Sequence, residues 1–389
     1  MDFELSAEQQ LLRDGLAQFL AARYGLESSR TAVKTGPGWQ PDIWKAFAHD
    51  LGILGATLPE SAGGMGGGPV ETMVIAEALG HALVVEPYVN TVVVAGGLLS
   101  RIGSDVANAV TEQIAEGEAI VALAAAEDSS DDLTSAATTA RRDGDEWVLD
   151  GSKALVVDAP IASHLIVTAQ IVTAHVGEQA GSGQPGAGLG LFVLPYDASA
   201  EGITAHTIRT VDDRQAADIA FGGVRVPGDA LLLTGDDAIA ALSRAVDEGS
   251  AAVCAEAVGS MRKVLDDTVE YSKQRQQFGL PLSSFQVLSH RMVDMLIEVE
   301  QASAATLLAT IKIDAEPTER ARAVSVAKVT VGRAARFVGQ NAVQLHGGMG
   351  MTEELAIGHY FKRLTAVQYE YGATDRHLAR YVELTAPPR

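Results

Sequence analysis

Two apolar stripes at helical spacing, separated by a proline, constrain the last third of this 389-residue chain more than any other feature. Leu288, Met292, Met295, Leu296 and Val299 recur on one face of a long helix, with Asp294 and Glu298 on the opposing side. Beyond Pro317, a second stripe of Ala323, Ala327, Thr330, Ala334 and Val338 is dominated by small residues, which lets helices approach closely. Neither helix can bury its stripe alone. The natural packing is an antiparallel helical bundle joined by short loops.

The texture changes twice along the chain. Residues 1–120 read as helical: Ser6 and Gln9 form a capping box, and Leu11, Leu12, Leu16, Phe19 and Leu20 follow at helical spacing. P-E-S-A-G-G-M-G-G-G (59–68) breaks the pattern before a second helical stretch at 69–84. Those glycines do not make G-x-G-x-x-G after a strand, so no dinucleotide fold is read, and a flexible loop between helices is the plain expectation. Residues 121–235 are rich in β-branched residues. E-W-V-L-D-G-S-K-A-L-V-V predicts a hairpin with Asp150-Gly151 at its turn, and 164–169, 191–195 and 217–227 continue the strand pattern. The Gly- and Gln-rich stretch 176–188 predicts a mobile loop between two strands. The whole reads as α+β: an N-terminal helical domain (1–120), a small middle β domain (121–235) and a C-terminal four-helix bundle (236–389).

Composition bounds the function. A net charge of −21 disfavours nucleic acid, whose phosphates need clustered Lys and Arg, yet leaves room for a phosphorylated cofactor gripped by a few arginines. Cys254 is the only cysteine, so an intrachain disulfide is ruled out and a reducing compartment fits. The start M-D-F-E-L-S lacks a basic segment followed by an apolar one, and no apolar run is long enough to span a bilayer. The expectation is a soluble, cytoplasmic protein. No His, Cys, Asp or Glu spacing resembles a metal site.

Two strings carry the chemistry. Y-S-K-Q-R-Q-Q-F (271–278) follows a helix whose inward positions include Ala257, Met261, Val264 and Thr268. Arg275 can grip a pyrophosphate bidentately, Gln277 can add a directional hydrogen bond, and Phe278 offers a face to a ring. An arginine at a helix C-terminus is also explained by the helix dipole alone. Q-L-H-G-G-M-G (344–350) pairs Gln344, which both donates and accepts, with Gly347 and Gly348, which permit close backbone approach. A plain helix stop explains the glycines equally well. His346 reads as a packed or hydrogen-bonded residue.

Together, R-Q-Q-F-G, P-L, F-Q and Q-x-x-G-G in this order closely resemble the cofactor signatures of the acyl-CoA dehydrogenase family, and the resemblance covers almost the whole chain. It implies the helical–β–helical fold and FAD-dependent α,β-desaturation of an acyl-CoA, with electrons passed to an electron-transfer flavoprotein. It also implies an oligomer, because the family's arginine reaches a neighbouring subunit's FAD. Arg275, Gln277, Phe278, Gln344, Gly347 and Gly348 are then the cofactor-binding residues.

The chemical positions depart from the family. Its base is commonly a glutamate in a Tyr-Glu-Gly-Thr string. Here the chain reads Glu370-Tyr371-Gly372-Ala373, which places Tyr371 at the base position. A free phenol ionises near pH ~10, so ionising it at neutrality costs roughly 4 kcal/mol. Glu370 is one residue early, and one residue turns a helical side chain by about 100°. Glu248, beside Asp247, is one residue off a second family position for the base, and the pair also reads as a solvated acidic helix start. In the middle domain, A-E-D-S-S-D-D-L (126–133) and L-V-V (155–157) replace the family's T-E-x-x-x-G-S-D and W-x-T. Ala126, Leu155 and Val157 lack the hydroxyls and indole that hold a flavin ring. These departures point to one subunit of a heteromeric dehydrogenase whose partner supplies ring pocket and base. A self-sufficient homo-oligomer using Glu248 or Glu370, or a non-catalytic structural partner, are the alternatives.

Overall fold

The computed structural model describes residues 4–128, 132–173 and 184–386. The chain forms two compact units. One takes Met1–Ala32, Gly68–Val85 and Asp247–Arg389; the other takes Val33–Gly67 and Glu86–Val246. N-terminal helical segments are therefore shared between both.

The first unit is helical. Helix α1 (Ala7–Arg23) begins with the expected capping box: Gln9 N–H donates to Ser6 Oγ, and Ser6 N–H to Gln9 Oε1. Leu16 and Leu20 are buried, but Leu11 is 73% exposed and does not belong to the core stripe. In chain order come α2 (Leu26–Thr35), α3 (Pro41–His49) and α4 (Pro69–His81), of which α4 and the first seven residues of α2 belong to this unit. After α5 (Gly97–Ile102) and α6 (Asp105–Ala115), the long helix α7 runs from Gly235 to Gln274. Then follow α8 (Gln286–Ile311), α9 (Pro317–His346), α10 (Ala356–Ala366) and α11 (Thr374–Thr385). Ala257, Met261, Val264 and Thr268 of α7 are buried, as their spacing predicts. Met292, Met295 and Val299 of α8 are buried too, while Leu296 is 45% exposed, at the rim of the stripe.

Backbones touch where α4 crosses α7. A Cβ added at Gly80 would lie 1.9 Å from the Glu256 carbonyl oxygen, and one at Gly259 would lie 1.9 Å from that of Glu77. No side chain fits there, so the crossing is locked by two glycines.

The second unit holds the sheet. Its strands are β1 (Val121–Ala124), β2 (Thr139–Asp143), β3 (Glu146–Val157), β4 (His164–Thr173), β5 (Gln184–Pro195), β6 (Ile203–Arg209), β7 (Gln215–Pro227) and β8 (Leu231–Thr234). Their order is β6-β7-β3-β2-β4-β5-β8, with β1 pairing in parallel with β4. Trp147, Leu149, Leu165, Val167, Phe192, Ile219 and Phe221 form its core. Within this unit, residues 89–96 wind as a buried π-helix that leads into α5.

Two sequence expectations change, and a third falls largely outside the described residues. Asp150-Gly151 is not a hairpin turn: β2 and β3 reverse at Gly144-Asp145, and Asp150-Gly151 lies within β3 at a register shift against β7. Gly151 is needed for another reason. A Cβ there would lie 2.6 Å from Thr138 Cα, and its φ is +141°. The stretch 59–68 is strapped rather than loose, because Gly64 N–H donates to Pro59, Met65 to Gly55, Gly66 to Leu58 and Gly67 to Ala56. Of the expected mobile loop 176–188, residues 176–183 lie outside the described residues, and 184–188 belong to β5.

One buried ion pair ties the sheet unit together. Lys153 Nζ on β3 donates to Glu127 Oε1 at 2.6 Å and to Thr168 Oγ1 at 2.9 Å. Glu127 also accepts from Ala137 N–H, Thr138 N–H and the Thr138 hydroxyl. Burial alone would raise the Glu127 carboxyl, but the Lys153 ammonium, the two amides and the hydroxyl outweigh it and hold it at about 2. A carboxyl depressed on folding stabilises the native state above its unfolded range and loses that contribution as pH falls. Stability from this pair should therefore be complete above about pH 4.5 and fade toward pH 2, a slope that Glu127→Gln should remove. At pH 7 the same variant, by stranding buried Lys153, should cost about 3–5 kcal/mol in denaturant melts.

Candidate functional site

The two sequence strings meet through one aromatic contact. Tyr271, near the end of α7, stacks on His346, the last residue of α9, with ring centroids 4.3 Å apart and planes 25° apart. The Tyr271 hydroxyl donates to the His346 carbonyl at 3.4 Å. His346 is buried, with Nδ1 2.9 Å from the Ala342 carbonyl, and burial lowers its basicity. It is a packed residue, as its sequence context suggests.

What this pin presents is exposed. Arg275 follows α7 directly, and β9 (Gln276–Gln277) pairs with β10 (Leu280–Pro281) across a turn made by Phe278 and Gly279. Both turn residues have positive φ, +53° and +78°. Such turns favour Asn, Asp or Gly, so a phenylalanine carries strain here. Phe278 is also 93% exposed, touching Phe285 edge to face. Arg275, Gln277, Gln344, Gly347 and Gly348 are exposed as well. Gly347 ends α9 with φ +62°, and added Cβ atoms at Gly347 and Gly348 would meet nothing within 4 Å. A strained, exposed aromatic beside an arginine, two amides and an open glycine pair contributes little to the chain's own core. These groups can together hold a phosphate and stack against a ring.

The middle-domain segments lie side by side: Ala154 N–H donates to the Ala126 carbonyl at 2.9 Å. Leu155 bulges from β3 with φ +48° and is exposed, and its N–H is already taken by Asp218 Oδ1 at 2.8 Å. The side chains of Ala126, Leu155 and Val157 offer no hydrogen bond to a flavin ring. The fit to FAD is therefore one-sided: these side chains add nothing for the ring, while the exposed motifs suit the phosphates.

The candidate bases are placed clearly. Glu248 is half-buried within α7, not at a solvated helix start, because that helix begins thirteen residues earlier at Gly235. Its neighbour Asp247 is 1% exposed and is held by Arg320 Nε at 3.0 Å and Arg380 Nη1 at 2.6 Å. Glu370 is bound by Arg363, whose two terminal nitrogens reach both carboxylate oxygens, the Nη2–Oε2 distance being 2.9 Å. Arg363 in turn holds Glu256 at 2.7 and 2.9 Å. Tyr371 has φ +54° and its carbonyl lies 3.1 Å from His377 Nε2.

Sequence reasoning missed Arg363, Glu256 and Lys328. The signal was there: Glu256 stands alone in the apolar run S-A-A-V-C-A-E-A-V-G, and a lone charge in such a run needs a buried partner. A groove of about 1180 Å³ between α1, α4, α7, α8 and α10 is lined by none of the predicted site residues. No cluster of three metal-ligating side chains occurs, and no helix is long and apolar enough to cross a membrane, among the described residues. If Phe278 serves something outside its own fold, Phe278→Asn should leave the thermal midpoint unchanged or higher, its change in stability staying within about 0.5 kcal/mol of zero or favourable. A clear fall in the midpoint would show that the ring stabilises the chain itself.

Three acyl-CoA dehydrogenase domain families match in order, the N-terminal domain at residues 6–118, the middle domain at 122–224 and the C-terminal domain at 239–383. The acyl-CoA dehydrogenase FadE12 of Mycobacterium tuberculosis is 31% identical over 364 residues, which covers 90% of this chain and 89% of that protein. Among solved structures, the ChsE4-ChsE5 complex from Mycobacterium tuberculosis aligns with a TM-score of 0.87 at 24% identity, over 100% of both chains. A Tcur3481-Tcur3483 steroid acyl-CoA dehydrogenase variant aligns at 0.84 and 26% identity, over 97% of each. With its domains in family order and a relative at this identity over nine-tenths of its length, the chain belongs to the acyl-CoA dehydrogenase family of oxidoreductases.

Proposed function

We propose that this chain takes part in FAD-dependent α,β-desaturation of an acyl-CoA thioester as one subunit of a heteromeric dehydrogenase. Its partner supplies the flavin-ring pocket and the base. The observation that carries this reading is the pairing of Glu370 with Arg363 beside a tyrosine at the base position. Both oxygens of Glu370 already accept from a guanidinium, so taking a proton from a substrate would break that pair. On this reading the domains divide at 1–120, 121–235 and 236–389.

Arg275 would clamp the pyrophosphate of an FAD shared with the partner, while Gln277 and Gln344 hydrogen-bond it. Phe278 lends a ring face, and Gly347-Gly348 let the backbone approach. When bound, FAD supplies the acceptor for the hydride leaving the β carbon. Electrons would pass on to an electron-transfer flavoprotein. Phe278, Leu280, Val287, Val293, Leu296 and Ile297 are exposed along the hairpin and the first half of α8, apolar area that a monomer would leave in water. Solved neighbours named as two-chain assemblies support the subunit reading.

Two variants separate this from a self-sufficient enzyme. In the enzyme assembled with its partner, Glu248→Gln and Glu370→Gln should each lower turnover by less than about tenfold. Loss of a true proton-abstracting base costs on the order of 10²–10⁴-fold. A loss of that size with FAD still bound, in Glu248→Gln or in a Glu370→Gln variant whose amide exchange over 367–373 is unchanged, would place the base in this chain. Arg275→Ala should release FAD from the assembly; full activity and flavin content in that variant would count against a shared site.

A further inference from the structure

The connection between α10 and α11, residues 367–373, is held by more buried charge than a surface turn needs. Lys328, 2% exposed on α9, donates to the Val367 carbonyl at 2.8 Å and to the Glu370 carbonyl at 2.7 Å. Arg363, 3% exposed, binds the Glu370 carboxylate on this connection and Glu256 on α7. His377 of α11 holds the Tyr371 carbonyl; burial pushes its imidazole down to about 4, so at neutral pH it is uncharged and donates a single hydrogen. Three of the connection's carbonyls and one carboxylate are thus fixed from α9, α10 and α11.

Two cations and two carboxylates make the cluster neutral overall, but each member is expensive to bury without the others. At the last of these anchors stands Tyr371 at φ +54°, followed by Gly372 at +112°. A non-glycine residue stays in the left-handed region only where its surroundings over-determine it. Here they do.

We propose that Lys328 and Arg363 are positioning residues: they fix the backbone just ahead of Tyr371, whose own carbonyl His377 holds, so that the residue at the family's base position is set in place for the acyl thioester, and they keep Glu370 out of proton transfer. The role toward substrate rests on the acyl-CoA reading above; the fixing of the backbone does not.

The test uses the assembled flavoprotein and the variants Lys328→Met, Arg363→Met and the charge-preserving Lys328→Arg. Amide hydrogen exchange, thermal melts and steady-state turnover of butyryl-, octanoyl- and palmitoyl-CoA are read together. Expected are folded variants in which exchange over 367–373 accelerates at least about tenfold in Lys328→Met and Arg363→Met, while α8 keeps its protection. Their kcat should fall on the order of 100-fold with KM little changed, as a displaced but intact site predicts. Lys328→Arg should retain most of the protection, which keeps the test decisive should the methionine variants not fold. Unchanged exchange over 367–373 would overturn the proposal, as would acceleration spread evenly through the helical unit, the mark of a merely structural role. Local acceleration in a protein whose unmodified form turns over none of the three thioesters would uphold the clamp and defeat only the acyl-CoA reading.

Discussion

Buried carboxylates on α7 organise the helical unit. Asp247 draws in Arg320 from α9 and Arg380 from α11, and Glu256, nine residues on, draws in Arg363 from α10. Each is almost fully buried, and an unpaired charge at either depth would cost several kcal/mol. Three helices are therefore fixed in register against α7, not merely pressed onto it by apolar area. Directional pairs suit this unit because its interfaces are rich in alanine and glycine. Small residues bring backbones close, as at Gly80 and Gly259, but specify orientation weakly.

That frame decides what the two candidate site regions can do. The arginine that pins α10 also binds both oxygens of Glu370, so the carboxylate next to the family's base position is already engaged within the fold. The Tyr271–His346 stack does the opposite at the other end of α7 and α9. It is a small internal contact that holds outward an arginine, two amides, a strained phenylalanine and an open glycine pair. One region has its carboxylate tied into the fold. The other is turned outward and unused by its own fold. A chain built this way fits an assembly in which another subunit completes the site.

Much of this was legible in the residues. The capping box of α1, the apolar face of α7 and the stripes of α8 and α9 were readable because helical periodicity records burial directly. Asp150-Gly151 misled because a glycine demanded by close backbone approach to Thr138 looks, in sequence, like one demanded by a turn. The Gly-rich stretch 59–68 misled for a related reason: composition reports conformational freedom, not the hydrogen bonds that remove it. Asp247 looked like a solvated helix start, since its partners lie 73 and 133 residues away and no local pattern announces them. Exposed Leu11 and Leu296 show the limit of periodicity, which finds the face but not its edges.

The most direct test of a divided site is the flavin content of this chain expressed and purified alone, from its visible spectrum and its mass. A folded protein with little or no FAD, which gains flavin on assembly with a partner, is the predicted result. About one FAD per polypeptide in the isolated chain would contradict it and return the search for the base to Glu248 and Glu370.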